Sequence, residues 1–348
     1  MKKLICMVCA LLLLLPGKAL AVSGEELDAA VERTTEYVLA EMPQWDDHWL
    51  VLALVRSGAA LPEDWLEAYH TELEDYVTGV EGVLDSRKHT EYAKAVLGLV
   101  AAGYDPTDVA GYDLTAPLRD VEATTRQGVN GAIFALLALD SAGDAGEVGE
   151  EYLAFILSRQ LSDGGWVLSG QVSDTDMTAM ALQALAPYRD REEVSAAIEG
   201  AVERLGALQK PDGGFASYGT ANSESAAQAI LALGALDIPL EGPRFVQGGG
   251  TALDALLAYQ LPDGSFSHLP EGPANAIATE QALLAMAALG EKWDTLGVRP
   301  PAPPPAQPPA ESAPEPVEKP RLNPPVPVAG EDKRGEFAIF ARFFEDQV

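Results

Sequence analysis

The run Asp174-Thr175-Asp176-Met177-Thr178-Ala179 sets two carboxylates two residues apart at the start of an apolar stretch. Crowded carboxyls do not ionise independently, and crowding or burial lifts one of them into the range of a general acid. Polar residues recur at matching places in the chain: Asp46, Glu91, Asn130, Asp176, Glu224 and Glu280 follow one another at 45, 39, 46, 48 and 56 residues. Such a polar ring can select a ligand through amide, hydroxyl or cationic groups. It can equally be helix-start chemistry, since an acid there complements the dipole by roughly 0.3–1 kcal/mol. Tyr188, Tyr218 and Trp49 flank the same segments and serve either a ligand at a rim or the core. His48, His70, His89 and His268 show no ligand spacing, read as surface or capping residues, and predict no metal site. No G-x-S-x-G anchors a hydrolase triad.

The elements that must position these residues repeat with a period near 50. Gln160, Gly164 and Trp166 return as Gln209, Gly213 and Phe215, and again as Gln260, Gly264 and Phe266. An amphipathic helix runs into each Gln, and an Asp-Gly or Asp-Gly-Gly turn follows. An aromatic plugs the turn before a nearly apolar Ala/Leu helix begins. Helical repeats of this length make a solenoid or a closed ring. The apolar helices around 175–186, 223–236 and 278–289 are buried from several sides and form an inner layer. Their amphipathic predecessors form an outer one. The reading is an all-α (α/α)6-type toroid of about twelve helices in two concentric layers, spanning 22–294. The inner helices offer Ala, Leu, Met177, Met180 and Met286 to the centre, with few aromatics.

The flanks have other characters. Lys2 and Lys3, an apolar run Leu4–Leu15 and the small residues at Ala19 and Ala21 predict a signal peptide over 1–21 and a secreted protein. Cys6 and Cys9, the chain's two cysteines, fall in that leader, so the remainder has no thiolate and no disulfide. A proline-rich linker covers 295–330. The last segment, 331–348, reads as a short amphipathic helix around Phe337, Phe340 and Phe344, or part of a further domain. The net charge of −30 repels phosphate backbones, so nucleic acid is not an expected partner. No transmembrane segment is expected after the leader, and the oligomeric state is open.

The three Gln-x-x-x-Gly-x-Trp/Phe repeats resemble the QW motif of the terpenoid cyclase and protein prenyltransferase superfamily, with its prenyltransferase and squalene oxidase repeats. The resemblance implies the α/α toroid. It also likens Asp174–Ala179 to the D-x-D-D-T-A motif of class II terpene cyclases, in which the middle acid protonates an alkene or epoxide. Here Asp176 is that middle acid and Met177 stands for the third. Protein prenyltransferases hold zinc partly through a cysteine, which this chain lacks. A third resemblance, to the toroid of cobalamin carriers, fits secretion and a downstream linker. The leading expectation is therefore a secreted, non-catalytic toroid that binds a small molecule, corrinoid-like at its most concrete, or a surface partner at the ring mouth. No cofactor is expected beyond cobalamin as a ligand. The alternatives are a cyclase- or prenyltransferase-like enzyme with Asp176 as acid, Asp174 beside it, and a cell-surface adhesion module.

Overall fold

A computed structural model describes residues 22–42 and 48–289. The leader 1–21, Asp46, the linker 295–330 and the segment 331–348 lie outside the described residues. Twelve α-helices are present among those described, with one two-stranded hairpin. They are α1 Gly24–Glu41, α2 His48–Ser57, α3 Trp65–Gly79, α4 His89–Ala102, α5 Val121–Thr125, α6 Gly128–Ser141, α7 Gly146–Ser158, α8 Thr175–Leu185, α9 Glu192–Leu208, α10 Ser223–Ala235, α11 Ala252–Leu257 and α12 Ala276–Ala287.

Six of these make the inner wall: α2, α4, α6, α8, α10 and α12. Each packs on the next in chain order, and α12 packs back on α2, so the ring is closed. Burial follows composition. Every residue of α8 is buried, and so is all of α10 except Gln228 and Gly234. Asp174, Asn222 and Asn275 start α8, α10 and α12 with side-chain bonds to backbone N–H groups of the first turn, leaving fewer of the helix-end donors unmet.

The repeated motif welds each outer helix to its neighbour. Gln160 Nε2 donates to the Gly164 carbonyl at 2.7 Å and to Ala197 of α9 at 2.8 Å. Gln209 repeats this with Gly213 at 2.8 Å and Phe245 at 2.9 Å. Gln260 Nε2 reaches Ala30 O at 3.0 Å and Thr34 Oγ1 at 2.9 Å on α1. The third copy thus joins the last unit to the first. Trp166, Phe215 and Phe266 are fully buried beneath their turns, and the Trp166 indole donates to Ile156 O at 2.8 Å. Trp166→Ala is expected to cost about 3–5 kcal/mol through the cavity and the lost bond, read as a lower denaturation midpoint in urea.

The outer layer is less regular than six matching helices. Between α4 and α6 the chain makes a 3-10 turn, Ala116–Arg119, and the five-residue α5; α11 has six residues. Asp105 and Asp113 bond the backbone N–H of Thr107 and Thr115, and Pro106, Gly111 and Pro117 interrupt the same stretch. These local bonds and breakers compete with helix formation.

Candidate functional site

The first turns of α8 and α10 bring buried carboxylates together. Asp174 Oδ1 accepts from the N–H groups of Asp176 at 2.9 Å and Met177 at 3.2 Å. Its other oxygen accepts from Ser217 Oγ at 2.7 Å. Ser217 lies in a hairpin, β1 Ala216–Ser217 and β2 Thr220–Ala221, whose two-residue loop Tyr218-Gly219 has positive φ at both positions. That loop type suits the twist of the flanking strands. Thr175 Oγ1 donates to Ala216 O at 2.8 Å, fixing the hairpin to the start of α8. Ser217→Ala is expected to lower stability by about 1.5–3 kcal/mol, the usual worth of a bond to a charged group, visible as a lower Tm near neutral pH.

Asp176 is 8% exposed, and its Oδ1 is buried without a hydrogen-bond partner. Burial first, then the charges of Asp174 and Glu224, push its pKa up to about 7; hydroxyls of Ser225 and Ser217 pull the other way. Ser225 Oγ is itself buried and meets no bonding geometry. Two buried oxygens without partners are costly in a packed wall. Glu224, 7% exposed, accepts from Ser223 Oγ at 2.9 Å and meets His268 Nδ1 at 2.8 and 2.9 Å. That contact with Glu224 raises the His268 pKa, against burial, and the charges of Glu224 and Asp176 add to it.

The other sequence-selected residues divide. Tyr218, 47% exposed, stands over this cluster, and burial and the charges of Asp174 and Asp176 raise its pKa. Glu280 is buried on α12, next in the ring. Asn130 has its Oδ1 buried without a partner, on α6. Glu91 pairs with Lys94 at 2.8 Å and is partly exposed. Tyr188 does not join the rim: it follows the C-terminal end of α8 and donates to Asp140 Oδ1 at 2.7 Å. The eleven-residue length of α8 separates it from Asp176. Among the described residues no group of three His, Cys, Asp or Glu could hold a metal, and no helix is long and apolar enough to cross a membrane.

Two features escaped the sequence. His268, expected as a surface or capping residue, is instead the partner of a buried acid. Trp49 of α2 and Phe134 of α6 meet edge to face, centroids 5.7 Å apart and planes at 77°. Both helices pack on α4, which lies between them in the ring. Phe134 within an apolar run looked like ordinary core.

The sequence model of the prenyltransferase alpha-alpha toroid domain matches residues 84–241 and 247–299, more than half of the chain. The chain belongs to the prenyltransferase alpha-alpha toroid family. Among its relatives, a drimenyl diphosphate synthase of Streptomyces showdoensis is 34% identical over 138 residues, which is 38% of this chain and 25% of that protein. The ent-copalyl diphosphate synthase of Streptomyces platensis aligns structurally with a TM-score of 0.45 and 19% identity, over 72% of this chain and 49% of that one. The toroid therefore spans a quarter to about half the length of these relatives. Membership of this family and the likeness to a terpenoid synthase overturn the leading expectation of a non-catalytic binder. They favour the enzyme alternative. The expectation of a secreted protein is corrected with it, since the likeness is to a diphosphate synthase.

Proposed function

We propose that this toroid is a terpene cyclase-like enzyme that starts its reaction by protonation, with Asp176 as the acid. The observation that carries the reading is Asp176 itself: buried, crowded by Asp174 and Glu224, with one oxygen unbonded. Met177 replaces the third acid of the D-x-D-D-T-A pattern, and Glu224 of the adjacent helix supplies a second carboxylate charge in its place.

In the proposed step the Asp176 O–H adds its proton to the terminal C=C of a linear polyene. A C–H bond forms, the π bond breaks, and a tertiary cation remains while the O–H electrons stay on the carboxylate. Successive alkene π pairs then close C–C bonds. Loss of a proton, or capture of water, ends the sequence. Asp174 and Glu224 repel phosphate, and Arg204 is engaged by Ser173 at 2.6 Å and Asp163 at 3.4 Å. The apolar end of the substrate therefore approaches the acid.

The test is incubation with squalene and with linear polyprenyl diphosphates, followed by mass spectrometry of cyclised products. Products that disappear in Asp176→Asn support the reading; no cyclised product from any of these polyenes refutes it. His268→Gln, which keeps a hydrogen-bonding group but not the charge, is expected to slow turnover about tenfold, the worth of one hydrogen bond. Its pH profile should change shape, because the cation beside Glu224 is gone.

A further inference from the structure

The exposed large apolar side chains among the described residues gather at one end of the ring. They are Tyr76, Val83, Val172, Tyr218 and Leu269, with Val172 68% and Val83 53% exposed. A lone exposed valine or leucine is ordinary on a surface, whereas a shared rim of them marks a contact face. Val83, Val172, Tyr218 and Leu269 stand in the connections that lead into α4, α8, α10 and α12, and Tyr76 in the last turn of α3. The starts of the inner helices share this mouth. His89 Nδ1 meets Thr124 Oγ1 at 2.7 Å, and Gln127 Nε2 donates to Thr90 Oγ1 at 3.1 Å, joining the start of α4 to the approach to α6. Thr175 at the start of α8 holds the hairpin before α10. Ser223 Oγ of α10 donates to Ser267 O at 2.8 Å, in the loop before α12. The rim is thus a bonded surface that needs little ordering before it meets a partner.

Charge decides which partner. The chain carries 53 Asp and Glu against 23 Lys and Arg, and two bodies of net charge −30 repel one another. The rim segments 169–173, 216–221 and 267–274 hold a single acid, Glu271, and no Lys or Arg. Two copies can approach there without setting acid against acid. The far side of the same rim carries the complement: Arg87, exposed in the loop of Val83 before α4. In a closed ring of six, a two-fold axis lying across the mouth from α2 to α8 exchanges α4 with α12. It sets Arg87 and Val83 of one copy against Glu271 and Leu269 of the other, and does so twice. Val172, before α8, meets its own counterpart on the axis.

We propose that two copies of this chain pair mouth to mouth through this rim, about that axis. The pairing itself stands apart from the reaction proposed above. Its consequence rests on that reading: the partner's rim closes the space over Asp176 and Glu224, so the cation forms away from bulk water.

Sedimentation velocity of the full chain at rising concentration, in about 0.15 M salt, tests the pairing without any substrate. The expected result is a species of twice the chain's mass. Val172→Glu places two carboxylates at the axis and is expected to weaken pairing at least about tenfold. Glu271→Arg sets cation against Arg87 and is expected to weaken it about fivefold, and adding Arg87→Glu should restore it. A chain that stays monomeric at every concentration overturns the proposal. So does a dimer that Val172→Glu leaves intact, or a double exchange that fails to restore pairing. A monomer that floats with phosphatidylcholine vesicles assigns the rim to a lipid surface and overturns it too. Should Val172→Glu melt early, Glu271→Arg and its rescue decide. Failure of the cyclase reading registers separately, as a wild-type dimer that converts no polyene.

Discussion

Asp176→Asn is expected to abolish cyclisation and, at the same time, to make the protein more stable above pH 7. The two effects have one source. A carboxyl forced into a buried site beside Asp174 and Glu224 keeps its proton up to about pH 7, against an ordinary 3.8. Folding below pH 3.8 meets the group already protonated and costs nothing extra. Between pH 3.8 and 7 the unfolded chain is ionised while the folded one still binds the proton, so stability falls as pH rises. Above the folded pKa the loss is complete and levels off, at an upper bound of about 4 kcal/mol for a shift of this size. Asn carries no charge, so the variant escapes the loss: the gap in Tm should be small at pH 4, grow through pH 7 and then hold constant. Turnover moves the other way. Removing the proton donor of the first step is expected to lower the rate by at least about 10²–10⁴-fold, the range for general acid catalysis. Wild-type activity should itself decline as pH rises through 7, as the acid form is titrated away. Melting curves across pH and product yields at each pH check both halves. A variant that cyclises polyenes at the wild-type rate removes Asp176 from the mechanism.

The ring and the acid were legible in different ways. Three copies of a Gln–Gly–aromatic turn, with apolar helices behind them, are one-dimensional facts that survive folding, so the toroid followed from spacing. Asp174 and Asp176 stand out because they are neighbours in sequence. Glu224, Ser217, Ser225 and His268 join them only when α8, α10 and the loop before α12 meet, and no local pattern marks that meeting. Tyr188 misled because flanking an inner helix does not say which end it flanks. The acid cluster read as incomplete through Met177: a third carboxyl was sought in the same motif, while the fold brings Glu224 of the next helix close enough to act on Asp176.

Closure of the ring makes the second large prediction. Gly264, at φ 96°, sits in the turn of the third motif, where an added Cβ would lie 2.2 Å from Arg33 O and 3.2 Å from Thr34 N. Thr34 Oγ1 donates to Gly264 O at 2.9 Å, and Gln260 bonds α1 beside it. A side chain at 264 therefore pushes α1 away from the last unit at the one seam that chain connectivity does not hold. Gly264→Ala is expected to cost about 1–3 kcal/mol in backbone strain and a further ~1–3 kcal/mol in forced separation. Gly170 is the control: its φ is 110°, yet nothing lies within 4 Å of its Cβ position. Gly170→Ala carries the strain without the clash and should lose only the first part. If the seam is what matters, hydrogen exchange in α1 rises steeply in Gly264→Ala and stays near wild type in Gly170→Ala, while exchange in α8 changes little in either. Equal effects of the two substitutions would mean that the ring does not depend on this junction, and that the inner-wall contact of α12 with α2 closes it alone.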